Sequence, residues 1–148
     1  MALISLNLAQ VAYCGHENYE SHIFTGPTEG FVLTSVLYDD TYDINGYVGY
    51  LPSENSIYVT FRGTDSEKNT FIDGLIEKTT YTMWPECNCT VHTGFQLAYL
   101  MTAPSVLSEV KRLQGLFPDY AVRTTGHSLG AALTHLTSMM LIKNGIEI

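Results

Sequence analysis

A strand pattern and a helix pattern meet almost without a connection near the end of this sequence. Ala121 to Thr125 is a short run suited to a strand, and 129–143 carries Ala132, Leu133, Leu136 and Met140 on one side of a helix. Between them lies Gly126-His127-Ser128-Leu129-Gly130. A Gly-x-Ser-x-Gly turn of this kind sends a strand sharply into a helix and presents the serine in a strained conformation. Its glycines follow from sterics, because a side chain at Gly126 or Gly130 would collide with the neighbouring strand or helix. The helix N-terminus at Ser128 points backbone N–H groups toward developing negative charge. The pentapeptide alone arises by chance in about one chain in twenty of this length. The flanking strand and helix make it informative, and an ordinary glycine-flanked serine turn is the alternative.

The preceding chain reads as layers around a sheet. Residues 1–13 are apolar but lack a basic leader, and Ser5, Asn7 and Gln10 interrupt the run, so they read as an amphipathic helix in which Leu3, Leu6 and Gln10 against Ile4, Leu8, Val11 and Ala12 leave a broad apolar face suited to packing on a sheet. Residues 31–38, 46–51 and 56–61 read as strands, the last two joined by the Pro52-Ser53-Glu54-Asn55 turn. Residues 63–77 lose that pattern and hold Phe71, Ile72, Leu75 and Ile76, as a short surface helix or flap would. A further strand is expected over 78–84 and a long helix over 95–116, with Pro104 kinking it or lying in its first turn. Gly145 stops the last helix, and 146–148 open another alternating pattern, as the start of a further strand would. No repeat or linker divides the chain, so one domain is expected over 1–148.

Composition narrows the partners. At 148 residues with 45% hydrophobic and 15% charged residues, the chain can build a core without metal or disulfide staples. Seven basic residues against fifteen acidic give a net charge of −8, which disfavours nucleic acid and anionic membrane surfaces and leaves neutral substrates as the expectation. No segment approaches a transmembrane span. Three cysteines, Cys14, Cys87 and Cys89, leave at least one without a partner inside the chain. Asn88-Cys89-Thr90 is an Asn-x-Thr sequon, a weak pointer to secretion.

Four segments in order resemble the class 3 lipases, also called fungal-type triacylglycerol lipases, whose relatives include feruloyl esterases and phospholipases. They are Tyr13-Cys14-Gly15 after the first helix, Val59-Thr60-Phe61-Arg62-Gly63-Thr64, His92-Thr93-Gly94-Phe95, and Thr125 to Leu133. The resemblance implies an α/β-hydrolase fold, a mixed and mostly parallel sheet with flanking helices, lacking its C-terminal part. It implies a serine carboxylic ester hydrolase working through an acyl-serine, with no metal or organic cofactor, on an ester or lipid substrate at a lipid–water interface. Ser128 is then the nucleophile, with Leu129 (backbone N–H) and Thr64 (backbone N–H and hydroxyl) as the oxyanion hole. Arg62 and Asp65 support that turn, a surface salt bridge being the alternative for Arg62. Phe71, Ile72, Leu75 and Ile76 take the place of a lid that covers the serine. Secreted members pair the cysteine matching Cys14 with one near the C-terminus, and they carry a local disulfide with two intervening residues where Cys87 and Cys89 have one, which puts that bridge in doubt. The resemblance also implies secretion or an endomembrane lumen.

A serine hydroxyl needs a histidine base held by a carboxylate, and in this fold the chain order is Ser, Asp, His. The 20 residues after Ser128 contain no aspartate and only His135, on the same helix. His127 points elsewhere on the turn, His92 matches a packing position, and His16 and His22 fall in an early loop where solvent exposure is the default. A fragment of a longer hydrolase is therefore expected. The rival is a complete, non-catalytic protein that binds lipid or a partner subunit and keeps Gly-x-Ser-x-Gly as structure.

Overall fold

The computed structural model describes residues 2–148, apart from the side chains of 71–73, so the lid expectation for Phe71 and Ile72 lies outside the described residues. In chain order the elements are α1 (Ala2–Val11), β1 (Val32–Asp39), β2 (Ile44–Leu51), β3 (Ser56–Phe61), α2 (Glu67–Gly74), β4 (Lys78–Thr80), β5 (Thr90–His92), α3 (Thr93–Leu116), β6 (Ala121–Gly126) and α4 (Leu129–Lys143). The main sheet has the order β1-β2-β3-β6. It is mixed as expected, but among the described residues only β3–β6 is parallel, while β1–β2 and β2–β3 are antiparallel. The short Pro52–Glu54 turn explains the antiparallel β2–β3 pair, and α3 is the crossover that the parallel pair requires.

Strand periodicity sends alternate residues to opposite faces. On β3, Ile57, Val59 and Phe61 meet the core under α3 and α4, where Val106, Val110, Leu133 and Met140 pack. Tyr58 points to the other face with Tyr47 and Leu51, against Ile4, Leu8 and Val11 of α1. All six residues of β3 are buried, as expected of a central strand covered on both faces. Leu3 and Leu6 of α1 stay exposed.

Three expectations need correction. The strand expected over 78–84 is limited to β4, which pairs with β5 in a separate two-stranded sheet. The Tyr81 N–H still bonds the Cys89 carbonyl at 3.0 Å, and Gln96 of α3 then takes the partner's place, its Oε1 accepting from the Thr82 N–H at 3.0 Å while its Nε2 donates back to the Thr80 carbonyl at 3.2 Å. Pro104 lies inside α3, eleven residues past its start, so the first-turn option fails. Residues 146–148 form no strand. Gly145 takes φ 80°, the Ile146 N–H bonds the Leu141 carbonyl at 3.0 Å, and Ile146 tucks into the core. That αL turn ends α4 and spends the apolar residue that suggested a strand.

Candidate active site

The parallel pair β3–β6 sets the geometry. Its register ends at Phe61 opposite Gly126, so both strands stop at one level and their next residues share the crevice beyond the strands' carboxyl ends. From β6 the chain enters α4 through His127 and Ser128. Ser128 has φ 54° and ψ −122°, a backbone state that L-residues rarely adopt, and its residue is exposed. The turn closes with the Gly130 N–H on the His127 carbonyl at 2.9 Å and the Ala131 N–H on the Ser128 carbonyl at 2.9 Å. Leu129 is the first residue of α4, where backbone N–H groups lack intrahelical partners, and its side chain is buried.

Three glycines permit this packing. A Cβ on Gly126 would stand 2.5 Å from the Gly130 carbonyl oxygen. One on Gly130 would run into the Phe61 carbonyl and come within 2.8 Å of that of Arg62. One on Gly63 would stand 2.6 Å from the His127 carbonyl and 3.2 Å from the Ser128 Cβ. Gly63 is thus where the turn after β3 lies against the serine, with Thr64 next in the chain. Sequence reasoning accounted for Gly126 and Gly130 but not for Gly63, whose place directly after a strand and before Thr64 was the available signal.

A buried ionic network holds that turn from behind. The Arg62 side chain is only 7% exposed and donates to the Asp43 carboxylate at 2.8 Å. It also donates to the Asp43 carbonyl at 3.0 Å, to Asn69 Oδ1 at 2.9 Å and to the Gly63 carbonyl at 3.3 Å. A surface salt bridge for Arg62 is therefore excluded. Asp65 is 3.8 Å away and largely exposed, a peripheral partner. Asn69 is buried on α2, accepts from the Asp65 N–H at 3.2 Å and donates to the Tyr42 carbonyl at 2.7 Å. Burial works to raise the Asp43 carboxyl, and hydrogen bonds from Arg62 and Ser66 with the guanidinium charge outweigh it, holding the group below its ordinary value of 3.8. Neither Asp43 nor Asn69 carries a local sequence signal, because each acts through residues brought near by the fold.

The histidines are distributed as follows. His127 is exposed, and its Nδ1 meets the Tyr13 hydroxyl at 2.9 Å. That hydroxyl also lies where a Cβ on Gly63 would be, so the end of the first helical segment touches both turns. A cleft of about 260 Å³ lies between Leu6, Ala9, Gln10, Tyr13 and His127, the residue before the serine. His135 lies on the exposed side of α4, seven residues past Ser128 and about 10 Å along the axis. His92 caps α3, its Nδ1 accepting from the Phe95 N–H at 3.3 Å. His16 corrects the expectation of a solvated side chain. It is half-buried, hydrogen-bonded to Asn45 Oδ1 at 2.9 Å and stacked on Tyr38 at 3.7 Å. His22 is half-buried against Phe24.

Of the lid residues within the description, Leu75 is half-buried against the main core and Ile76 is 75% exposed. Cys87 and Cys89 are joined despite their single intervening residue, with Cα atoms 5.2 Å apart. The 3₁₀ turn Pro85–Cys87 and the left-handed Asn88 fold the chain tightly enough to bring the thiols together. Cys14 is free and exposed. Among the described residues no helix is long and apolar enough to cross a membrane.

The family model described as Lipase (class 3) matches residues 58–147. The secreted alkaline triacylglycerol lipase of Penicillium cyclopium is 30% identical over 116 residues, which cover 76% of this chain and 40% of the relative. The triacylglyceride lipase of Rhizomucor miehei superposes with a TM-score of 0.83 at 27% identity, covering 96% of this chain and 54% of that one. A triacylglycerol lipase whose catalytic centre is described as a serine protease triad gives 0.83 at 26% identity, with 97% and 56% covered. These solved structures give the fold, which is that of the α/β hydrolases. The chain spans about half the length of those structures and less than half that of the curated relative.

Proposed function

The chain belongs to the class 3 lipase family, and from that premise we propose that it is the nucleophile-bearing part of a secreted serine ester hydrolase acting on acylglycerols at a lipid–water interface. Ser128 attacks the ester carbonyl. Thr64 and the Leu129 N–H receive the oxyanion, and an acyl-serine forms as the alcohol leaves. The observation that carries this reading is the approach of the Gly63 turn to Ser128, with 3.2 Å from the Gly63 Cβ direction to the Ser128 Cβ. It supports a site in which N–H donors from the two turns and the nucleophile surround one point before any substrate arrives, the arrangement that stabilises a tetrahedral intermediate. Secretion is supported by the Penicillium cyclopium relative's description as secreted and by the Cys87–Cys89 disulfide, which persists in an oxidising compartment.

The base is assigned to residues outside these 148. The imidazole nearest in sequence, His127, is bonded to Tyr13, and His135 stands about two helical turns away on the side of α4. Those same observations favour the second reading, a lipase-like protein that binds lipid or a partner subunit without turning it over.

A fluorophosphonate probe and an emulsified triacylglycerol separate the readings. In a longer chain that carries the base, the proposed reaction requires probe attachment at Ser128 and fatty-acid release that both disappear in Ser128→Ala. Fatty-acid release that survives Ser128→Ala sinks the catalytic assignment, and emulsion binding without probe attachment selects the second reading.

A further inference from the structure

The sequon Asn88-Cys89-Thr90 is the sole Asn-x-Ser/Thr triplet in the sequence, and the site just described makes no use of it. Asn88 is exposed near the β5 end of the loop between β4 and β5. It takes φ 50°, with its N–H turned inward to the Pro85 carbonyl at 3.2 Å. Thr90, the third residue of the triplet, is also exposed, at the first position of β5. The residue between them, Cys89, is half-buried against the core and bonded to Cys87. The disulfide therefore holds down the middle of the triplet, while the asparagine that reacts and the threonine that is recognised both face solvent. The same bond marks an oxidising compartment, where asparagine-linked glycosylation also takes place.

The loop's position fits a bulky attachment. Lys143, at the C-terminal end of α4, donates to the Met83 carbonyl at 2.6 Å and pairs with Glu86 at 3.4 Å, which fixes the loop at that end. Ser128 is at the other end of the same 15-residue helix, about 22 Å away along its axis. A sugar on Asn88 would stand clear of the crevice beyond β3 and β6.

We infer that Asn88 is an N-glycosylation site, and this rests on the secretory reading proposed above. The donor is a polyprenyl-diphosphate-linked oligosaccharide. The Asn88 amide nitrogen bonds to the sugar's anomeric carbon as the carbon–oxygen bond to diphosphate breaks. The amide proton passes to a base of the transferase, and polyprenyl diphosphate leaves.

The test is to recover the protein from its source's culture medium and from its cell lysate, and to treat both with peptide N-glycosidase in ¹⁸O water. The expected result is a protein from the medium whose mobility rises on treatment and whose residue 88 becomes ¹⁸O-labelled aspartate. Expressed in the same source, Asn88→Gln and Thr90→Ala lose the mobility shift, Thr90→Ser retains it, and all three keep the fluorophosphonate reactivity of the parent. Protein from the medium with unmodified Asn88 overturns the inference and leaves secretion standing. Protein confined to the cytosol with unmodified Asn88 overturns both. A shift that persists in Asn88→Gln places the modification elsewhere and also overturns the inference.

Discussion

Ser128 trades stability for presentation. At φ 54° and ψ −122° its Cβ crowds its own backbone, and a non-glycine residue in such a region costs of order 1–3 kcal/mol. Ser128→Gly removes that strain but gives the unfolded chain more freedom, a loss of about 0.5–1 kcal/mol. The net expectation is a variant about 1 kcal/mol more stable than the parent in urea denaturation and wholly unreactive toward fluorophosphonate. Ser128→Ala keeps the Cβ and should leave the urea midpoint unchanged. A destabilised Ser128→Gly would show that the backbone is not strained in this way. Gly130 is the opposite case, since its missing Cβ is what admits the Phe61 and Arg62 carbonyls. Gly130→Ala forces backbone against backbone, so about 1–3 kcal/mol of stability should be lost in the same assay. This residue-level packing logic was legible in the sequence at Gly126, Ser128 and Gly130, where five consecutive positions make the strand-to-helix turn. It was illegible at Asp43 and Asn69, which gain their roles from contacts 19 and 7 residues away from Arg62.

Among the elements, the strands and long helices could be read from periodicity because each buries a regular face, as β3 does with Ile57, Val59 and Phe61 on one side and Tyr58 on the other. The segments read poorly are those where one residue replaces an element, as Gln96 replaces a strand beside Thr82. The joint between the β1–β2 turn, the turn after β3 and α2 is another such place, made by Asp43, Arg62 and Asn69. Its strength depends on pH. Asp43 has a folded-state value below its ordinary 3.8, so its contribution is fully present above that value and is lost as pH falls through the lower folded value. Asp43→Asn preserves the left-handed backbone that Asp43 adopts at φ 52° and removes the charge, leaving a buried guanidinium without its carboxylate. About 3 kcal/mol should be lost at neutral pH. Urea midpoints measured at pH 6 and pH 3 check the sign: the gap between parent and variant should narrow at the lower pH, and a gap of constant size would remove Asp43 as the cause.

For the whole molecule, the balance of fifteen acidic residues over seven basic ones bears on the proposed work at a lipid surface. A net charge of −8 does not oppose approach to a neutral acylglycerol surface, but it repels a surface carrying anionic lipid or fatty-acid product. Such repulsion acts over about 10 Å at 0.1 M salt and about 3 Å at 1 M. The exposed apolar residues Leu3 and Leu6 on α1, close to the Tyr13–His127 cleft, and Ile76 after α2 can make short-range contact with lipid only once that distance is crossed. The protein should therefore bind neutral triacylglycerol emulsions almost independently of salt, whereas binding to emulsions doped with anionic phospholipid should rise as salt increases from 0.01 M to 1 M. Sedimentation of the Ser128→Ala variant with each emulsion reads adsorption without turnover, which separates surface approach from chemistry. Binding to the anionic emulsion that weakens with salt would mean that a local basic patch, and not the net charge, governs the encounter.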